Sequence, residues 1–131
     1  MTPSESASQK AVCQWWASYC RTRGMDERLL IAVPNGSVLA GDSRQRAIQM
    51  AKLKATGFRV GFPDLMLLRQ KMAELVDLTL FHGLMIEMKK RGNKPTKEQA
   101  EYHDLLRRAG YNVVVCWSSD EAIRAIRGYL E

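Results

Sequence analysis

Two acidic residues and one lysine stand where apolar segments of the chain begin or end. Asp64 directly precedes the apolar run 65–68, whereas Glu87 and Lys89 end a second apolar run. If both runs are strands that pair antiparallel, the start of one lies beside the end of the other. Adjacent strands are about 4.8 Å apart and residues i and i+2 share a face, so the three side chains would meet at one end of the sheet.

This combination suits the hydrolysis of a phosphodiester with the help of a divalent cation. Mg²⁺ accepts one or two carboxylates and retains several waters, so Asp64 and Glu87 are predicted ligands and the backbone carbonyl of Met88 is a candidate third ligand. A bound cation lowers the pKa of a water ligand and offsets charge on the phosphate. Lys89 would orient the nucleophile or stabilise the developing negative charge. We therefore expect Mg²⁺ as the cofactor, with Mn²⁺ as a substitute.

Each of these residues alone has a plainer interpretation. Asp64 after a proline fits a polar turn, and Glu87 with Lys89 fits the solvated face of an edge strand. Charged side chains at the ends of buried strands, however, need a partner that compensates for their burial. Their joint placement after a Gly-Phe-Pro loop, in strands that are otherwise apolar, favours a functional site.

The charge balance of the chain favours polyanionic partners such as nucleic acid. The sequence has 20 Lys and Arg residues against 14 Asp and Glu, which gives a net charge of +6 and a pI of about 9.5. A run of charges is often only a solvated face, but basic residues that directly follow Lys89 would make the mouth of the site positive. The basic residues predicted to bind DNA are Arg44 and Arg46 in a predicted helix, and Lys90, Arg91, Lys94 and Lys97 in and beside the next loop.

Hydrophobic periodicity and capping signals predict the elements that position these residues. A helix capped by Thr2, with Glu5 bonding back to the cap, should run to about Arg23. Segment 70–80 fits a loop, a helical turn or an extension of the hairpin, and the sequence does not decide between them. The other predicted elements are strand 29–33, helix 43–55, strand 65–68, strand 83–89, a helix from Thr96 to Gly110, strand 111–117 buried on both faces, and a last helix after Ser118.

These elements predict an α/β fold in a single domain over residues 1–131. Strand, helix and strand from 84 to 117 form a βαβ unit, and with an antiparallel β-hairpin they give a mixed central sheet flanked by helices. Three cysteines without a CxxC pair argue against a disulfide framework or a structural zinc site, and favour a cytoplasmic setting. The polar start and the short apolar runs predict a soluble protein that is unprocessed and makes no membrane contact.

The residues of the predicted site carry a resemblance to a nuclease family. Pro63-Asp64 followed by Glu87-Met88-Lys89 resembles the PD-(D/E)xK signature of restriction-type nucleases. Over nearly the whole chain the sequence is more specifically similar to the virus-type replication–repair nuclease (VRR-NUC) domain. The matching segments are Gly61 to Leu65, His82 to Lys89, Gln99 and Gly110-Tyr111, together with Glu5, Gln9 and Pro34-Asn35-Gly36.

The resemblance implies a restriction-endonuclease-like fold and divalent-metal-dependent cleavage of DNA. The stand-alone phage and bacterial members are the most similar, and they imply such an origin and a homodimer acting on branched DNA such as four-way junctions. The resemblance also adds Asn35 to the residues predicted to bind DNA.

Two further catalytic candidates depend partly on the resemblance. Gln99 occupies the position of the Thr96 capping box that bonds back to the cap, yet it shares an inward helical face with Tyr102. With the resemblance we predict that Gln99 contacts the attacking water or the phosphate. Glu5 is also a capping-box acid, and it becomes a further site carboxylate only if the fold returns the first helix to the cleft.

Two other functions compete with a DNA endonuclease. The chain could be a non-catalytic DNA-binding or assembly module on the same fold, but such a module has no need for the complete set of Asp64, Glu87 and Lys89. A nuclease acting on RNA would use the same metal chemistry, although no aromatic-rich RNA-binding signature supports it. Because no reader of individual bases is evident, we expect recognition of DNA shape rather than sequence.

Overall fold

The computed structural model of the protein describes residues 2–34 and 39–131, so Asn35 lies outside the described residues. A four-stranded sheet and four helices make up most of the fold. The elements are α1 (Glu5–Arg23), a 3-10 turn (Glu27–Leu29), β1 (Leu30–Ala32), α2 (Ser43–Ala55), β2 (Leu65–Leu67), β3 (Lys71–Met72), β4 (Thr79–Phe81), β5 (Leu84–Met88), α3 (Lys97–Arg108), β6 (Asn112–Cys116) and α4 (Ser119–Leu130).

The central sheet has the predicted mixed topology. Its strand order is β1-β2-β5-β6, in which β1 with β2 and β2 with β5 are antiparallel, and β5 with β6 is parallel. The α3 helix connects β5 to β6, which confirms the βαβ unit. In the β2–β5 pair, Leu65 lies opposite Ile86 and Leu67 opposite Leu84. Continuing this register by one residue places Asp64 opposite Glu87.

Alternation of side chains along the strands gives the sheet two apolar faces. On one face, a core formed with α1 and α4 buries Leu65 and Leu67 of β2 and Leu84, Ile86 and Met88 of β5. On the other face, a smaller core under α3 contains Met85, Leu106 and Val113, with Phe62, Met66, Tyr102 and Tyr111 packed against it. Glu87 points to the α3 face, because it alternates with Ile86 and Met88.

The ends of the helices follow from local capping, with one difference from expectation at α1. Gly24 ends the helix in a left-handed conformation with φ of 66°, as predicted, but the N-cap is Ser4 rather than Thr2. The Ser4 Oγ accepts a hydrogen bond of 3.1 Å from the Ala7 N–H. Serine caps at least as well as threonine, and this choice makes Glu5 the first helical residue. Its carboxylate is therefore free of the capping role that the sequence suggested.

Segment 70–80, which the sequence left open, forms an antiparallel hairpin of β3 and β4. Its base is attached to the end of α4, because the Lys71 Nζ donates to the carbonyls of Gly128 at 3.1 Å and Tyr129 at 2.7 Å. Its tip projects outward, with Leu75 95% exposed.

The β6 strand lies at the edge of the sheet, and both of its faces are covered, as predicted. Val113 is buried in the core under α3, and Cys116 is buried in the core formed with α1 and α4. Within the part of the chain that the structure describes, none of the helices is both long and apolar enough to cross a membrane.

Candidate active site

Asp64 is held at the point where β1, β2 and β5 meet. Its Oδ2 accepts a hydrogen bond of 2.7 Å from the Met88 N–H on β5. Its backbone carbonyl accepts one of 2.9 Å from the Val33 N–H just after β1. These two bonds fix both the main chain and the carboxylate. The structure therefore brings Asp64 beside the end of β5, as the antiparallel pairing predicted.

Glu87 is buried against a histidine that the sequence analysis did not assign to the site. The Glu87 Oε1 lies 3.2 Å from the His103 Nε2, and both side chains are only 2% exposed. Burial, helped by the positive charge of Arg107, lowers the pKa of His103. A neutral ring that carries its proton on Nε2 would donate to the Glu87 carboxylate and hold it in place. The available signal was spacing, since His103 lies four residues after Gln99 and so on the same helical face.

Burial destabilises the ionised form of both carboxylates. Burial raises the pKa of Asp64 to about 7, and the neighbouring Glu87 adds to the effect. Burial also raises the pKa of Glu87, against the opposing effects of a hydrogen bond with Asp64 and of the Lys89 charge. A proton held between two carboxylates occupies the place that a cation would take. This pair is therefore poised to accept a cation.

The donor set fits Mg²⁺ in kind and number. Two carboxylates with room for waters are what Mg²⁺ accepts. The N–H and C=O of one strand residue point to the same neighbouring strand, so the Met88 carbonyl faces the Asp64 side, as its N–H does. Within residues 2–34 and 39–131, three or more His, Cys, Asp or Glu side chains do not gather as a metal-binding group. The ion would therefore depend on Asp64, Glu87 and a main-chain oxygen.

Lys89 lies at the end of β5, next to both carboxylates. Its N–H donates to the Cys116 carbonyl at 2.9 Å, which continues the parallel pairing with β6 by one residue. The side chain is half-buried, and its charge lowers the pKa of both Asp64 and Glu87. An ammonium group in this position lies where a phosphate bound by the carboxylate pair would need compensation of negative charge.

The first turn of α1 returns to this end of the sheet. The Glu5 Oε1 accepts a hydrogen bond of 3.2 Å from the Lys90 N–H, directly after Lys89. The negative charge of Glu5 also contributes to raising the pKa of Glu87, after burial. The fold thus returns α1 to the site, which was the condition for Glu5 to act as a further site carboxylate. A catalytic role for Glu5 stays a prediction.

Gln99 has the capping role that its position allowed. Its Oε1 accepts a bond of 2.8 Å from the Thr96 N–H, and its own N–H donates to the Thr96 Oγ1 at 3.1 Å. The first turn of α3 also packs against the loop before Asp64, where a Cβ on Gly61 would lie 2.9 Å from the Glu98 carbonyl. Gln99 is therefore near the site. Its Oε1 is used by the cap, so a contact with the phosphate or water would be made by its side-chain NH2 group.

The loop after β5 presents exposed positive charge beside the site. Gly92, with φ of 94°, allows the turn, and the Trp117 indole N–H donates to the Asn93 carbonyl at 2.7 Å. The exposed basic side chains on this loop and the start of α3 are Lys90, Arg91, Lys94 and Lys97. Arg44 and Arg46 are exposed on α2, a helix without buried side chains.

Comparisons with known proteins show the family and the fold of the chain. The VRR-NUC domain family matches residues 3–120 of the chain. A solved structure named "VRR_NUC domain protein" is 26% identical, with a TM-score of 0.76 over 99% of this chain and 90% of that chain. A comparison with curated proteins gives no significant match. With a nuclease-type fold and a family match over most of its length, the chain belongs to the VRR-NUC domain family.

Proposed function

We propose that the protein is a Mg²⁺-dependent endonuclease that hydrolyses phosphodiester bonds of DNA, with a preference for branched DNA such as four-way junctions. The observation that carries the proposal is the pair of Asp64 and Glu87, which meet across β2 and β5 beside Lys89. A buried acid beside a half-buried one, both with raised pKa values and with an adjacent amine, is typical of a metal-assisted hydrolase rather than of a plain binding surface.

Each residue of the site has a separate task in this proposal. Asp64 and Glu87, with the Met88 carbonyl, hold the cation, which supplies Lewis-acid activation of water and neutralises phosphate charge. Mn²⁺ substitutes for Mg²⁺, because both accept hard oxygen ligands. His103 keeps the Glu87 carboxylate oriented from behind. Lys89 stabilises the negative charge that develops on the phosphate.

Two predicted residues assist at the edge of the site. Gln99 orients the attacking water or the phosphate through its amide group. Glu5 extends the negative potential of the site from the α1 side, where it already bonds to the backbone of Lys90.

The substrate and the assembly follow from charge and from the family. Exposed basic side chains border the site on the loop after β5, and phosphates are their natural partners. A chain of 131 residues offers little surface to grip a junction. A homodimer would double this surface and would place two cuts symmetrically.

The direct test is a cleavage panel with single-stranded, duplex, flap and four-way DNA, and with single-stranded RNA. We expect cleavage of branched DNA in Mg²⁺ or Mn²⁺, and its loss in EDTA or in Asp64→Asn and Glu87→Gln. Lys89→Met should keep metal and DNA binding but lose cleavage. Asp104→Asn, an exposed change on the same helix as His103, is the matched control and should cut at the native rate.

The panel also separates the proposal from its alternatives. Binding of branched DNA without any cleavage in either metal would favour a non-catalytic DNA-binding or assembly module. Preferred cleavage of the RNA would move the substrate from DNA to RNA. Cleavage that persists in Asp64→Asn would show that Asp64 does not hold a catalytic metal ion.

A further inference from the structure

A groove of about 410 Å³ lies between β1, the end of α2 and α3, and Val33 in its wall bonds to the Asp64 carbonyl of the candidate site. This volume falls within the roughly 300–1,000 Å³ of small-ligand pockets. Its walls are largely apolar, and the exposed Arg59 stands among them. The aromatic side chains that line it are Phe58, Phe62 and Tyr102, and the aliphatic ones include Ile31, Val33 and Met66.

The aromatic walls of this groove are held by the backbone. The Phe58 N–H donates to the Leu53 carbonyl at 2.9 Å and the Gly57 N–H to the Lys54 carbonyl at 3.2 Å. This pair of bonds is a Schellman motif, with Gly57 at φ of 111°, and it fixes where Phe58 leaves α2. The backbone at this end of the groove is therefore preorganised.

The opposite wall depends on the close approach of Gly61 to α3. A Cβ at Gly61 would lie 2.9 Å from the Glu98 backbone, so only glycine permits this contact. The approach sets Phe62 edge-to-face with Tyr102, with ring centroids 5.3 Å apart and planes at 88°. Phe62 and Tyr102 thus stand at a fixed angle to each other in the groove wall.

Residues that line the groove are direct neighbours of the proposed metal site. Phe62 and Met66 flank Asp64 in sequence by two residues on each side, and the Val33 N–H donates to the Asp64 carbonyl. Tyr102 precedes His103, which contacts Glu87. A nucleotide whose phosphate lies at the carboxylate pair would therefore carry its base to these rings.

We propose that this groove stacks one unpaired nucleobase next to the scissile phosphate, so that the enzyme selects DNA with an unstacked nucleotide at the cut. Aromatic faces with a guanidinium at the rim suit the face of any base and do not read its sequence. A base within a continuous duplex is covered by its neighbours and cannot enter, whereas one at a branch point can. This inference rests on the proposed function, since it assumes that a DNA phosphate occupies the site.

The test measures binding in Mg²⁺ with Lys89→Met, the variant expected to bind metal and DNA without cleavage, because a phosphate needs the cation to lie at the carboxylate pair. The groove variants are compared in this background. Two otherwise identical duplexes carry 2-aminopurine, either as a single unpaired nucleotide or paired with thymine. We expect the unpaired probe to bind about tenfold more tightly and to lose emission on binding, because a base stacked on an aromatic ring is stabilised to this extent. Phe58→Leu should abolish this preference and leave binding of the paired duplex within about twofold.

Two further variants secure the result. Arg59→Gln changes an exposed side chain at the rim and should weaken the preference about threefold. Val60→Ala, next in sequence but 52% exposed and outside the groove, is the matched control and should bind both probes as the native protein does. A preference that survives in Phe58→Leu would overturn the inference. So would a change of solution mass in that variant, which would assign the groove to a contact between copies of the chain.

The result is separable from the proposed function. If the protein cuts branched DNA in Mg²⁺ but binds both probes equally, the groove inference fails and the nuclease proposal stands. If it binds the unpaired probe selectively, with quenched emission and dependence on Phe58, yet never cuts DNA, base stacking in the groove stands and the nuclease proposal fails.

Discussion

Replacing Asp64 by asparagine should stabilise the metal-free protein at alkaline pH. Burial beside Glu87 raises the pKa of Asp64 from 3.8 to about 7 in the folded chain. Because the folded state holds this proton more tightly than the unfolded state, the contribution of Asp64 to stability is greatest at acid pH and is lost as the pH rises through about 7. At pH 8 the folded protein therefore carries an unfavourable charge.

The size of the effect follows from the shifted pKa. A rise of roughly three pKa units, at 1.36 kcal/mol each, corresponds to about 4 kcal/mol. Partial access of water to the carboxylate lowers the expected gain for Asp64→Asn at pH 8 to about 2–4 kcal/mol. The asparagine Oδ1 can still accept the Met88 N–H, and its amide can donate to Glu87. At pH 4 the native and variant proteins should differ by less than about 1 kcal/mol.

Urea denaturation in EDTA at pH 4 and pH 8 measures this difference. Asp104→Asn, which removes only an exposed carboxylate paired with Arg107 at 3.2 Å, serves as the control and should change stability by less than about 1 kcal/mol at both pH values. Equal or lower stability of Asp64→Asn than of the native protein at pH 8 would refute the view that this carboxylate is an uncompensated buried charge.

Four other predictions follow from the site. Mg²⁺ at 100 times its Kd should stabilise the native chain by about 2.7 kcal/mol and leave Asp64→Asn unchanged in thermal denaturation; equal stabilisation of both would place the ion elsewhere. His103→Ala should lower kcat with little change in KM. His103→Gln, whose amide can donate to Glu87, should have a kcat at least tenfold higher than His103→Ala; equal kcat values in the two variants would show that His103 serves only packing. Lys94→Ala should lower the slope of log affinity for DNA against log salt by about 0.9, whereas an unchanged slope would show that Lys94 does not meet a phosphate. Sedimentation equilibrium should give twice the monomer mass of 14.9 kDa, and a monomer at working concentrations would contradict the homodimer.

The parts of the fold that depend on local signals were predictable from sequence. The bounds of α2 agree with prediction because the residues that set them, the Asp42 capping box and Gly57, lie directly beside the two helix ends in sequence. The meeting of Asp64 with Glu87 was also predictable, because each stands at a strand end and antiparallel pairing brings those ends together.

The parts that depend on packing were not predictable. His103 gains its role only because α3 crosses the sheet over Glu87, and its spacing from Gln99 indicates a shared helical face but not this contact. Ser4 and Thr2 are both good caps, so the choice between them, and with it the direction of Glu5, depends on how α1 docks. The β3–β4 hairpin was ambiguous because most of its apolar residues remain exposed and produce no burial pattern.

Titration with Mn²⁺ followed by electron paramagnetic resonance tests the central claim most directly. The native chain should bind one Mn²⁺ per protomer in competition with Mg²⁺, and both Asp64→Asn and Glu87→Gln should lose that ion while they remain folded. Undiminished stoichiometric binding in either variant would contradict a metal held between β2 and β5.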